Sequence, residues 1–157
     1  MVFNGHMDQQ NQEPSLVPGV ILADYVVRDA ATGKLSIVGC FHQFNFPRFP
    51  IKMGRFFVIA SITNLRGNIE KLTITCRIEM AGSGHVVGSS MCEMQFNANN
   101  PPLNGDMIFD LPFPFGGLVF MGAGQHDIVV LLNNEVIGKR RVIVNQITAP
   151  ASPPGIH

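Results

Sequence analysis

The side chains able to do chemistry are few here, and they are scattered. The five histidines stand at His6, His42, His85, His126 and His157, with no two at ligand spacing, and the three cysteines, Cys40, Cys76 and Cys92, form no Cys-x-x-Cys pair. A metal site readable from sequence needs such short repeated spacings. Here only the fold itself, gathering His42, His85 and His126, would make one, so no metal and no other cofactor is expected. A hydrolase nucleophile on a Gly-x-Ser-x-Gly elbow is absent. Gly82-Ser83-Gly84 and Gly122-Ala123-Gly124 precede strand-like runs, whereas a phosphate cradle opens a helix. Paired-carboxylate catalysis needs two acids face to face; Asp24, Asp106, Asp110 and Asp127 are available, but no spacing brings two together. Sugar platforms are scarce as well, with no Trp and a single Tyr, Tyr25. The expectation is a protein without catalytic residues.

Bulk composition narrows the partners. Eleven basic and eleven acidic residues cancel in a chain of 157. Nucleic acid is therefore not expected as a main partner, because phosphate binding needs a net positive surface. Charged residues make up only 14 % of the chain, against roughly 25 % in ordinary soluble proteins. No apolar run approaches the ~18 residues that span a bilayer, and the N-terminus lacks a basic-then-apolar export pattern. A cytoplasmic protein with no membrane partner is expected. Its odd number of cysteines then reads as reduced thiols.

The elements that must position these groups begin with Val20–Phe41, which reads as a β-hairpin. Val20–Arg28 is rich in β-branched and aliphatic residues, and Lys34–Phe41 begins by alternating polar with apolar. Asp29 can accept hydrogen bonds from loop amides, and Gly33 tolerates the left-handed conformation that closes the loop. A four-residue loop, Ala30–Gly33, sets Arg28 opposite Leu35, Val26 opposite Ile37, Asp24 opposite Gly39 and Leu22 opposite Phe41. Opposed residues share a sheet face. Leu22, Val26, Leu35, Ile37 and Phe41 are expected inward, and Asp24 is carried in with them. An inward carboxylate must find donors or take up a proton. It is either a structural tie or the acid of a ligand site.

The run Ile21-Leu22-Ala23-Asp24, followed by Gly33-Lys34-Leu35-Ser36-Ile37-Val38-Gly39, resembles the opening of a family of uncharacterised bacterial all-β domains. The likeness extends to a Phe-Pro after the second strand, at Phe46-Pro47 or Phe49-Pro50, and to a terminal hairpin after Gly124. Where that family tends to an aromatic in the last hairpin, this chain has His126. The resemblance covers about Val20–Val144 as one domain. It implies a β-sandwich in a cytoplasmic bacterial protein, and it brings no activity, ligand or site residue.

The rest of the chain continues the β pattern. Phe44–Pro50 holds Pro47 and Pro50, which favour an extended loop whose phenylalanines plug one end of a sandwich. Pro47-x-x-Pro50 also has the form of a ligand for aromatic-groove domains. Arg55–Thr63 is apolar enough to be central. Leu72, Ile74, Cys76, Ile78 and Met80 alternate with polar residues along Ile69–Met80. A three-residue turn at Gly82–Gly84 then pairs Met80 with Val86, Ile78 with Gly88, Cys76 with Ser90 and Ile74 with Cys92. Cys76 and Cys92 become diagonal neighbours about 7–8 Å apart, beyond disulfide reach. Met107–Phe120 is interrupted by Pro112, Pro114 and Gly116-Gly117, which suits an edge or a bend. His126–Leu132 and Val136–Val144 form a last hairpin around Asn133-Asn134, with two- and three-residue loops both compatible. Lys139-Arg140-Arg141 alternates faces, as an edge strand guarded by charge or as a docking point for an acidic partner.

The expected fold is an antiparallel β-sandwich of about eight strands, immunoglobulin-like or jelly-roll in type. Residues 1–18 read as a polar flexible arm, 19–147 as the sandwich domain, and 148–157 as a disordered Pro-rich tail. Gly5-His6-Met7 resembles a vector-derived junction, which makes Met7 the expected native start. The leading function is a non-catalytic interaction or structural module that self-associates, a homodimer by default. Its expected interface is an exposed apolar patch at Phe113, Phe115 and Phe120; the competing placement puts these rings in the core. The alternative function is a small-ligand site built from Asp24, Phe46 and Phe49.

Overall fold

In the computed structural model, residues 14–148 are described. The N-terminal segment up to residue 13 and the tail from residue 149 lie outside the described residues, and with them most of the expected flexible arm and disordered tail. The described chain is built of strands: β1 (Ser15–Arg28), β2 (Leu35–Phe41), β3 (Phe44–Phe46), β4 (Ile51–Lys52), β5 (Phe56–Thr63), β6 (Arg66–Gly67), β7 (Lys71–Met80), β8 (Val86–Gln95), β9 (Leu103–Asn104), β10 (Phe109–Phe115), β11 (Val119–Phe120), β12 (Gly124–Leu132) and β13 (Glu135–Gln146). A four-stranded sheet runs β10-β5-β1-β2, and a five-stranded sheet runs β3-β13-β12-β7-β8. β4 pairs with β11 and β6 with β9. Among the described residues every pairing is antiparallel except the short one between β13 and β3. The two large sheets bury one core between them, an all-β sandwich.

The core follows the side-chain period of two. Leu72, Ile74, Cys76 and Ile78 of β7 face Ile128 and Val130 of β12 within one sheet, and meet Leu22, Phe56, Val58, Ala60 and Ile62 from the other. The long strand β1 starts at Ser15, three residues earlier than the end expected for the arm. Ser15 pairs with Thr63 and Leu16 with Ile62, and an irregularity between Leu16 and Val20 absorbs Pro18 and Gly19, the latter at φ 122°.

The β1–β2 register is the one the loop chemistry dictates, with Leu22 opposite Phe41, Val26 opposite Ile37 and Arg28 opposite Leu35. The Asp29 carboxylate accepts the Ala31 and Thr32 amides at 2.7 and 2.8 Å, and Gly33 sits at φ 70°. Asp24 departs from expectation. It shares the face of Leu22, yet it is exposed. The reason is overhang: β1 pairs with β5 only as far as Ala23 opposite Phe57, so from Asp24 onward the hairpin stands clear of the sandwich. Its carboxylate lies over Gly39, where a side chain would collide with it.

The β7–β8 pairing keeps Ile78 opposite Gly88, Cys76 opposite Ser90 and Ile74 opposite Cys92. Only the turn differs. Met80 donates its amide to His85 at 2.8 Å, so the loop is one residue longer than expected. A bulge after Ile78 restores the register. Cys40, Cys76 and Cys92 are all free. The last hairpin takes the two-residue turn, with Asn133 and Asn134 both at positive φ.

The expected patch at Phe113, Phe115 and Phe120 is instead core. Phe113 is 0 % exposed, Phe115 4 % and Phe120 1 %. β10 pairs residue for residue with β5, from Phe109 opposite Ile62 to Phe115 opposite Phe56, in spite of its prolines. Pro112 and Pro114 are two apart, so both missing N–H groups fall on the same side of an edge strand, the side without a partner among the described residues. Phe109, Leu111, Phe113 and Phe115 then all turn inward. Phe120 joins Phe44 and Phe46 at centroid distances of 5.1 and 5.5 Å.

Candidate functional site

The β1–β2 hairpin overhangs the sandwich. Beyond Ala23, β1 and β2 form a two-stranded ribbon that β5 does not support. One face carries Tyr25, Val27 and Val38, exposed by 68, 59 and 52 %. The other carries Val26, Leu35 and Ile37, only partly covered. Its outer strand, β2, is the edge of its sheet and has no charged residue from Leu35 to Phe41. The tip holds Arg28, whose guanidinium donates to the Gly33 carbonyl at 2.8 Å, with Asp29 and Lys34. The amides of Thr32 and Ala31 hold the Asp29 carboxyl below its ordinary range.

At the base of this ribbon Asp24 and Phe46 border an open depression of about 360 Å³. Phe49 is not part of it. Its ring stands edge-on to Phe46 at 5.9 Å, and Phe44 and Phe46 are buried. Asp24 and Phe46 thus share the depression, and Phe49 packs against Phe46 without lining it.

A larger groove of about 890 Å³ lies alongside the end of β8. His126, Met80, His85, Leu118, Phe120 and Met121 are among its walls. Leu118 occupies the space over Gly88, where any side chain would collide with it. His126 is 5 % exposed, its ring edge-on to Phe120 at 5.4 Å and its Nδ1 3.4 Å from the Gly124 carbonyl. Burial pushes its pKa down, opposed by that carbonyl bond and by the nearby Asp127 charge. Of the three internal histidines only two are brought together. His42 lies elsewhere, 3.2 Å from Arg140. Among the described residues no group of three or more His, Cys, Asp or Glu is placed to hold a metal ion.

The basic cluster on β13 is used internally. Arg141 Nε donates to Asp127 Oδ1 at 2.6 Å and Lys139 Nζ lies 3.5 Å from Oδ2, while Arg140 turns to the other face and binds the Val20 carbonyl. Asp127 is 5 % exposed, and the Arg141 bond above all keeps its carboxyl below the usual range. Burial alone pushes the Cys76 thiol up to about 12. No helix among the described residues is long and apolar enough to cross a membrane.

These features define an all-β sandwich domain with an unsupported hairpin on one sheet and a histidine-bearing groove at the edge of the other. Residues 19–145 match a family of unknown function, DUF6941, and the chain belongs to that family. No curated protein matches the chain. Among solved structures, an immunoglobulin-like protein from Pseudomonas aeruginosa is similar over 87 % of this chain and 99 % of its own, at 7 % identity and TM-score 0.35. An alkylpurine DNA glycosylase from Pseudomonas fluorescens, bound to DNA containing an abasic site analogue, is similar over 66 % of this chain at 15 % identity and TM-score 0.43. The match spans 27 % of that glycosylase.

Proposed function

We propose that this domain is a non-catalytic interaction module that self-associates through the β1–β2 hairpin. The supporting observation is the ribbon beyond Ala23, with apolar side chains on both faces and, among the described residues, no third strand. Two-stranded ribbons are marginal in water unless something covers them. The covering element is a second copy. An uncharged edge strand is complementary to itself, and antiparallel pairing of β2 with β2 across a two-fold axis makes one continuous sheet. The charges agree. That arrangement sets the tip of one ribbon, with Arg28 and Lys34 outnumbering Asp29, towards the base of the other, with Asp24. Equal numbers of acidic and basic residues, eleven of each, leave no net repulsion between copies. Three free thiols, with Cys40 exposed, support a reducing compartment such as the cytoplasm.

The test is mass in solution. Tyr25 and Val38 are exposed, so changing both to Ser leaves the fold intact. Light scattering is expected to give a dimer for the parent and a folded monomer for Tyr25→Ser/Val38→Ser. A monomeric parent, or a variant that stays dimeric, refutes the reading.

A further inference from the structure

The groove beside β8 is lined by side chains able to ligate a metal ion, Met80, His85, Met121 and His126 among them. His126 on β12 is the cross-strand partner of Met80 on β7, and the Met80 amide donates to the His85 carbonyl at 2.8 Å. Opposed residues share a face, so the His126 imidazole and the Met80 thioether stand side by side on neighbouring strands, and the turn that closes on Met80 brings His85 to the same groove. All three line the groove, and so does Met121. Met80 is 44 % exposed and Met121 75 %, flexible sulfur side chains left in the open. The His126 ring is already oriented. A carbonyl can only accept, so the contact with Gly124 puts the proton on Nδ1 and leaves the lone pair on Nε2. Fixing the remote ring nitrogen on a backbone carbonyl is how metal-binding histidines are held. Phe120, edge-on to the imidazole, limits its rotation.

We propose that this groove binds a soft monovalent metal ion of the copper(I) type, through the Met80 thioether and the imidazoles of His126 and His85, with Met121 as a fourth donor. The softness follows from the donors, since thioethers select copper(I) and imidazole accepts it. The single charge follows from the walls. Among the described residues no Asp, Glu, Cys, Lys or Arg lines the groove, so none of them neutralises a dication there or repels a single positive charge. Zinc and other divalent ions, which favour thiolate or carboxylate help, are poorly served. The site lies on the five-stranded sheet, away from the hairpin, and stands or falls independently of self-association.

Silver(I) serves as the redox-inert probe, with copper(I) held by a competing chelator under anaerobic conditions as its check. The full chain carries Cys40→Ser and Cys92→Ser to remove the more accessible thiols. Titration calorimetry is expected to show one equivalent of either ion per chain, with zinc much weaker. Met80→Leu with Met121→Leu keeps shape and apolarity at two exposed positions, so the fold is preserved. It is expected to weaken binding by about tenfold or more, and His126→Gln by at least as much. No saturable silver binding, undiminished affinity in the double leucine variant, or zinc binding as tight as silver would each overturn the proposal.

Discussion

Arg141 Nε lies 2.6 Å from Asp127 Oδ1, and the two residues are direct cross-strand partners on β12 and β13. The pair is lopsided: the Asp127 side chain is 7 % exposed and that of Arg141 51 %. Asp127 stands on the outer face of the five-stranded sheet beside Val129, and its neighbours cover it so completely that the carboxylate depends on its cations.

Removing the exposed partner is therefore expected to hurt more than neutralising the covered one. Arg141→Ala leaves a covered carboxylate with Lys139 alone, at 3.5 Å, and should cost about 1–3 kcal/mol at pH 7. Asp127→Asn leaves Arg141 free to turn to water and should cost less. The pH dependence has a definite sign. The Asp127 carboxyl is depressed in the folded state, so its contribution is present above the unfolded value, about 3.9, and is lost as pH falls through the folded value. Urea midpoints measured at pH 7 and towards pH 3 should show the Arg141→Ala deficit shrinking with acid. A deficit that stays constant would mean that the guanidinium acts by packing alone.

At the base of the hairpin, the expected sensitivity moves from Asp24 to Gly39. Asp24 is exposed, so Asp24→Ala should change stability by no more than about 0.5 kcal/mol. Gly39 sits at φ 71° with the Asp24 carboxylate lying over it. Gly39→Ala should lower stability by about 1–2 kcal/mol for the backbone conformation, and further for the collision. Asp24→Ala added to Gly39→Ala should recover the collision part only. Thermal unfolding of the three variants decides this; a Gly39→Ala protein as stable as the parent would contradict it.

These residues also show how far the sequence carries. The β1–β2 register was legible because Asp29 and Gly33 fix a local loop, and local loops set hairpin registers. The exposure of Asp24 was not, because it depends on where β5 stops supporting β1, a non-local matter. Within β7 and β8 the strict alternation and the Gly82–Gly84 turn gave the right partners for Cys76 and Ile74, although the turn is one residue longer and a bulge compensates. The pairing of His126 with Met80 was hidden, because β7 and β12 are far apart in the chain and no turn links them. In β10 the signal was present and masked: Phe109, Leu111, Phe113 and Phe115 alternate, but Pro112 and Pro114 read as interruptions. Only knowing that β10 is an edge shows that both prolines point to the empty side.

The buried pair Phe113 and Phe115 and the exposed pair Tyr25 and Val38 should respond to truncation in opposite ways. Phe113 and Phe115 fill the core, with Phe115 stacked on Phe56 at 5.4 Å. Truncating one buried Phe costs about 3–5 kcal/mol, and a serine hydroxyl left without a partner adds to it. A domain of this size has about 5–15 kcal/mol in total. Phe113→Ser with Phe115→Ser is therefore expected to abolish cooperative unfolding, seen as loss of a thermal transition by circular dichroism. Each single Phe→Leu change, which keeps most of the volume, should leave a folded protein of lowered midpoint and unchanged oligomeric mass. A Phe113→Ser/Phe115→Ser protein that stays folded and halves its mass would return these rings to the surface and remove the hairpin from its role as the contact.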